Sequence, residues 1–193
     1  MNKRVKSNSI RIISGQWRGR KLEVLDAEGL RPTTDRVRET LFNWLMYDVQ
    51  AARCLDLFAG SGALGLECLS RGAAFVQFVE LYPLAARSIQ NTLSVLEVGL
   101  DQASVISTGY EHFLSAKPSQ PFDIVFLDPP FSKQFLPKVV EGLSQSGWLT
   151  DNALIYIEQP STQPQLDVPE HWYLFRQGKT GQSRFCLYSL SER

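Results

Sequence analysis

Cysteine and histidine are scarce in this chain: three cysteines (Cys54, Cys68, Cys186) and two histidines (His112, His171) in 193 residues. No two cysteines form a C-x-x-C pair, which argues against a disulfide framework and against zinc. No metal is expected, and the three thiols fall in apolar contexts that suit a core. No apolar run approaches the roughly 20 residues a membrane helix needs. The basic start, Met1-Asn2-Lys3-Arg4, leads into no apolar signal region. A cytoplasmic setting without membrane contact is therefore expected. Internal repeats and low-complexity segments are also lacking. Net charge is zero, from 20 Lys and Arg against 20 Asp and Glu. The length fits one domain, or a domain with a small extension.

The zero is not evenly spread. Residues 1–40 hold 10 basic against 5 acidic residues, and residues 41–193 hold 10 against 15. A basic segment on an otherwise acidic chain suits a polyanion partner or a solvated tail. Residues 1–9 read as a disordered tail. Residues 10–48 read as a basic extension, with short strands at 10–13 and 21–25 and a turn between them. That turn places Trp17 among Arg18, Arg20 and Lys21, a mixture that suits RNA phosphates and bases. A Trp17 packed inward is the plainer alternative. Asp26 to Leu30 reads as a loop. Arg31-Pro32-Thr33-Thr34-Asp35 then opens a helix, with Thr33, Thr34 or Asp35 as cap. Val37, Leu41, Trp44 and Leu45 share one face of it. Arg31, Arg36 and Arg38 cluster at its start, with Thr33 and Thr34, where a phosphate is favoured. Local pairing of these arginines with Asp35 and Glu39 is the competing reading.

From residue 49 to 193 the chain reads as one α/β domain. Strands are expected at 53–58, 74–80, 103–107, 122–128 and 153–158. Helices are expected at 63–71, 84–97, 110–116 and 134–146. Such alternation predicts a mostly parallel sheet with helices on both faces. Two further strands, 172–177 and 184–190, are joined by a link too short for a parallel crossover, so they form an antiparallel hairpin.

The stretch Asp56-Leu57-Phe58-Ala59-Gly60-Ser61-Gly62-Ala63-Leu64-Gly65 sits between the first of these strands and the first helix. Its glycine spacing is that of a nucleotide-binding turn, in which bare backbone can approach a ligand. Glu80 ends the next strand about 20 residues on, where a carboxylate can hold ribose hydroxyls. Asp128-Pro129-Pro130-Phe131 follows the strand at 122–128. A nicotinamide enzyme has no use for that tetrapeptide, but an enzyme that methylates a planar amine does. These residues come from separate strands and converge on the carboxyl edge of one sheet.

In this order and spacing, Asp56 to Gly65, Glu80 and Asp128 to Phe131 resemble an S-adenosylmethionine-dependent methyltransferase. The sequence also carries Arg11 to Arg20 and Arg31-Pro32-Thr33-Thr34-Asp35-Arg36-Val37-Arg38-Glu39-Thr40-Leu41-Phe42. Together with Leu55 to Gly62, over roughly residues 10–190, it closely resembles the 16S rRNA (guanine(966)-N2)-methyltransferase family, RsmD. The resemblance implies a Rossmann-like class I methyltransferase fold, with a seven-stranded sheet, a C-terminal antiparallel hairpin and a small N-terminal hairpin and helix. It implies methyl transfer from S-adenosylmethionine to the exocyclic N2 of one guanine of bacterial 16S rRNA. The substrate would be an assembled or partly assembled small subunit. Apart from the resemblance, a monomer is expected.

On this reading Asp128 and the Pro129 carbonyl accept the two amine hydrogens, Pro130 stiffens the turn and Phe131 stacks on the base. Asp56, Phe58, Ala59, Gly60, Ser61 and Gly62 form the donor loop, and Glu80 takes the ribose. Leu81, Gly109 and Tyr110 border the adenine. Gly109 stands where such enzymes often carry an acidic or amide residue, so backbone groups would read the adenine there. Arg18, Arg20, Lys21, Arg31, Thr33, Thr34, Arg36 and Arg38 are the candidate RNA contacts. Competing readings are a methyltransferase for DNA adenine or protein glutamine, a nicotinamide oxidoreductase and a non-catalytic RNA-binding module.

Overall fold

The computed structural model describes residues 7–25, 34–131, 134–145 and 147–193. The expected loop at 26–30, together with Arg31 and Thr33, lies outside them. Strands β1 (Ser7–Arg11) and β2 (Lys21–Leu25) pair antiparallel as a separate hairpin. β1 begins within the segment expected to be a disordered tail, because the backbone at Ser7 to Ser9 pairs with Leu25 to Glu23. Helix α1 (Asp35–Trp44) follows, capped by Thr34, whose Oγ1 accepts from the Val37 N–H at 3.4 Å.

The main sheet then alternates with helices. Its strands are β3 (Arg53–Asp56), β4 (Phe75–Glu80), β5 (Ala103–Ser107), β6 (Phe122–Leu127), β7 (Leu149–Pro160), β8 (Tyr173–Lys179) and β9 (Ser183–Ser189). Between them run α2 (Ala63–Ser70), α3 (Pro83–Val95), α4 (Tyr110–Leu114) and α5 (Leu136–Gln145). The seven strands lie in the order β5-β4-β3-β6-β7-β9-β8. All neighbouring pairs are parallel up to β7, and β9 runs antiparallel between β7 and β8. The expected fold class is the one found.

Several boundaries differ from expectation, the first strand lying at Ser7–Arg11 against an expected 10–13. β3 stops at Asp56, because the next two residues already belong to the turn. β7 starts earlier, at Leu149, by pairing with Phe122 across an irregularity in the register.

Each face of the sheet carries its own core. Val37, Leu41 and Phe42 of α1, Leu64 and Leu66 of α2 and Ile89 of α3 pack with Cys54, Phe78, Phe126 and Tyr156 on one face. Phe113 of α4 and Val139, Val140 and Leu143 of α5 pack with Leu55, Val125 and Ile155 on the other. Alternation along each strand explains the division, since successive side chains point to opposite faces.

α2 is buried along its whole length. On one side its Gly65 sits on β4, where a Cβ would collide with the edge of the Phe78 ring. On the other side the turn after β1 docks on it. The backbone N–H groups of Ile13 and Ser14 donate to the Glu67 carboxylate at 2.8 and 3.0 Å. Gln16 N–H donates to the Ser70 carbonyl at 2.8 Å, and Trp17 N–H to Ser70 Oγ at 3.1 Å. Gly15, at φ 82°, lies against the Ser70 backbone so closely that no Cβ fits.

Candidate functional site

The carboxyl edge of the sheet collects the chemistry. Parallel register sets Asp56 opposite Phe78 and Phe126, and Leu127 opposite Ile157. Alternation then puts Glu80, Asp56, Asp128 and Glu158 on the same sheet face as Phe78, Phe126 and Tyr156. Three acidic residues thus stand on β4, β3 and β7, and the fourth, Asp128, directly follows β6 between them.

The glycine turn is fixed from beneath. Leu57 N–H donates to the Phe126 carbonyl, and Ala59 N–H to the Val79 carbonyl at 3.0 Å. Gly60 N–H donates to Glu80 Oε2 at 2.6 Å. Gly60 and Gly62 take φ 53° and 77°, the left-handed region that glycine enters without Cβ strain. Gly62 heads α2 with no side-chain cap, so the first helical N–H groups face the turn.

Asp56 is 2% exposed, and its Oδ2 accepts from the Gly65 N–H at 3.1 Å. Burial pushes its carboxyl up to about 7; the Gly65 hydrogen bond opposes this and the Glu80 charge adds to it. Its contact is with α2, so it orders the turn. Glu80 is also buried, and its Oε1 accepts from the Tyr82 N–H at 2.7 Å. A carboxylate offers about four lone-pair positions, so both oxygens keep capacity for a ligand.

An S-adenosyl group fits this edge. Leu81 is 59% exposed at the end of β4, a large apolar side chain set against a bare backbone. A Cβ on Gly109 would reach Leu81 Cδ1 at 3.7 Å and Glu111 Oε2 at 3.3 Å. Glycine there leaves the backbone bare beside Leu81. Tyr110, the next residue, is buried in an aromatic group. Its ring lies 5.6 Å from Phe58 and 5.0 Å from Phe135, and Phe58 and Phe135 stack within 4° of parallel at 6.1 Å.

Ala59 and Gly60 are buried and Ser61 is half-buried. Pro129 is buried, while Asp128, Pro130 and Phe131 are half-buried after β6. Among the described residues no cluster could hold a metal ion, and no helix is long and apolar enough to cross a membrane. A cavity of about 380 Å³ lined by Arg53, Phe75, His112 and Lys117 lies by the first residues of β3 and β4, away from the glycine turn.

The basic residues divide. Arg18, Arg20, Lys21 and Arg36 are exposed. Arg38 is not: it is 1% exposed, and its Nη2 donates to the Arg11 carbonyl at 2.9 Å and to Asp35 Oδ1 at 2.6 Å. The expected phosphate contact at Arg38 is therefore corrected to a clamp between α1 and the hairpin. Trp17 is half-buried and packs against the core, the plainer of its two readings. Thr34 serves as the helix cap and is exposed.

Two site residues escaped the sequence. Phe135 completes the aromatic trio; it fell in the expected helix 134–146 with no role assigned, and it directly precedes α5. Glu158 ended the expected strand 153–158 and went unmarked, although a carboxylate at a strand end was the signal that pointed to Glu80; in the structure β7 runs two residues past it.

The family model described as conserved hypothetical protein 95 matches residues 10–189. The ribosomal RNA small subunit methyltransferase D of Haemophilus influenzae is 48% identical over 180 residues, 93% of each chain. Its Escherichia coli namesake is 48% identical over 182 residues, 94% of this chain and 90% of its own. A solved Escherichia coli structure, yhhF, superposes with a TM-score of 0.86 at 47% identity, covering 94% of this chain and 98% of its own. The glycine turn, the carboxylate row and the docked N-terminal hairpin thus occur in a chain similar to these relatives over nearly its whole length, and this chain belongs to the RsmD family of class I, S-adenosylmethionine-dependent methyltransferases.

Proposed function

We propose that the protein methylates the exocyclic N2 of one guanine in the RNA of the small ribosomal subunit. The observation that carries this reading is the placement of Asp128-Pro129-Pro130-Phe131 directly after β6, in line with the glycine turn and Glu80. Similarity to relatives named for small-subunit rRNA supports the substrate class.

S-adenosylmethionine supplies a methyl group already activated on a positively charged sulfur. What the chain must add is placement of the acceptor nitrogen. Glu80 would hold the ribose hydroxyls, and Leu81, Gly109 and Tyr110 the adenine. Phe58 to Gly62 would line the rest, with Asp56 ordering the turn through Gly65. The guanine N2 lone pair is delocalised into the ring. Asp128 and the Pro129 carbonyl, by accepting its two hydrogens, would draw the nitrogen towards a tetrahedral shape. Pro129 and Pro130 fix φ and carry no N–H, so the acceptors cannot swing away.

Phe131 would stack on the base. Turning a base out of its stack costs a few kcal/mol, and stacking returns about 1–3 kcal/mol. Arg18, Arg20, Lys21 and Arg36 would meet phosphates, which fixes orientation more than sequence. An assembled or partly assembled subunit, in which the target loop is already shaped, is the substrate this surface suits.

The test uses small subunits from cells lacking the protein, incubated with the purified chain and labelled donor. Mass spectrometry of the nucleosides should give N2-methylguanosine at one site, lost with Asp128→Ala. Label on DNA adenine or protein glutamine instead would overturn the acceptor and keep the donor. No donor binding would overturn both.

A further inference from the structure

Tyr156 and Glu158 lie two residues apart on β7 and face the same way. Both are buried, at 0% and 6% exposed. Tyr156 Oη donates to Glu158 Oε2 at 2.7 Å. Burial holds the Tyr156 hydroxyl in its protonated form, and the charges of Glu158 and then Asp128 push the same way. That hydroxyl is therefore a fixed donor. A carboxylate in such a place costs free energy unless its acceptors are used.

The register tells where the carboxylate stands. Leu127 of β6 pairs with Ile157 of β7. The next residue outward is Asp128, directly after β6, on one side and Glu158, still within β7, on the other. The charge of Asp128 reaches Tyr156, the hydrogen-bond partner of Glu158, so the two carboxylates are neighbours at that edge. A base whose N2 hydrogens meet Asp128 and Pro129 presents one more donor on the same edge, N1–H. It is the group next to N2, and Glu158 is the acceptor next to Asp128.

We propose that Glu158, held by Tyr156, accepts the N1–H of the target guanine and makes the site selective for guanine. This rests on the N2-guanine reading above and adds the recognition step to it. Tyr156 occupies Oε2, and Oε1 takes N1–H. An ionised carboxylate accepts only. A purine with a lone pair at N1 meets that oxygen with its own lone pair and is rejected. The selectivity therefore comes as much from repulsion of the wrong edge as from attraction of the right one. A hydrogen bond to a charged acceptor accounts for about 10- to 100-fold in affinity.

The test compares two acceptors in otherwise identical RNA, in reconstituted subunits. One carries guanosine at the target and the other 2-aminopurine, which keeps the N2 amine but has a bare N1. The wild-type protein should methylate guanosine with a much higher kcat/KM. In Glu158→Gln the side-chain amide can donate to a bare N1. The preference should fall about 10- to 100-fold, with donor affinity unchanged. Tyr156→Phe, which leaves the carboxylate but frees it, should lower the preference about 3- to 10-fold. This second variant decides the matter if the first does not fold. An unchanged preference in the folded variants overturns the role of Glu158 while the N2 reading stands. So does an equal loss for both acceptors with weakened donor binding, which would mark Glu158 as packing. Failure of the wild-type protein to methylate N2 of guanosine overturns both.

Discussion

Glu80 reaches from the end of β4 to the neighbouring turn, where its Oε2 accepts the Gly60 N–H at 2.6 Å. Its other oxygen takes the Tyr82 N–H at the start of the next connection. One side chain thus ties the glycine turn to the start of the next connection, the place proposed for the methyl donor. Glu80→Ala should lower S-adenosylmethionine affinity about 10- to 100-fold, the worth of charge-assisted hydrogen bonds. Calorimetric titration checks it. An affinity within a factor of two of wild type would mean that the turn holds its shape without Glu80.

Gly65 faces Phe78 with no room for a Cβ. Its φ is ordinary for a helix, so the constraint is packing and not backbone conformation. Gly65→Ala should push α2 off β4 and cost about 1–3 kcal/mol, as overpacking does. Urea unfolding measures this. A loss below about 0.5 kcal/mol, the level of an ordinary surface substitution, would show that α2 can slide without cost.

Asp56 makes stability depend on pH, and the sign follows from its environment. Its carboxyl titrates at about 7 in the fold, against about 4 in an unfolded chain. Between those values the folded protein keeps a proton that the unfolded chain has lost. Its contribution is complete below pH about 4, declines as pH rises to about 7, and is constant above. Asp56→Asn keeps an acceptor for Gly65 but removes this dependence. Relative to wild type it should gain on the order of 2–4 kcal/mol between pH 4 and pH 8. Thermal unfolding of both proteins across that range tests this, and a difference that stays flat with pH would refute it.

The arginines should separate by their readouts. Replacing Arg18, Arg20 and Lys21 together by alanine should weaken RNA binding and flatten its salt slope by about one unit per lost phosphate contact. Folding should stay near wild type, since all three side chains are exposed. Arg38→Ala should do the reverse. It leaves the salt slope alone and costs about 1–3 kcal/mol of stability through the lost Arg11 and Asp35 contacts. A salt slope that moved with Arg38 would return that residue to the RNA surface.

Sequence reached the fold because periodicity and turn chemistry are local properties. The alternation of strands and helices, the glycine turn and the late hairpin each need only a few consecutive residues. Asp56, Glu80 and Asp128 were legible because strand ends announce themselves. Arg38 was misread for a related reason: it lies within one turn of Arg36 and Glu39, and only the packing of the hairpin over α1 decides which arginine is covered. Glu158 ended the expected strand 153–158 but drew no role there, because no motif beside it pointed to a ligand. Its importance comes from register with Asp128, a relation between strands more than twenty residues apart.

The docked hairpin has a mechanical side. α2 spans eight residues, about 12 Å at helical rise. The glycine turn is its first end and the seat of Gly15 its last. Buried on every side, it is a strut of fixed length between the hairpin proposed to meet RNA and the turn proposed to hold the methyl donor. On that proposal the protein would measure its substrate like a caliper, with one jaw on phosphates and the other at the sulfur. Gly15→Ala, which unseats the hairpin from Ser70, should spoil methylation of the subunit while leaving donor affinity as it was. Equal methylation rates would show that the jaws are set some other way.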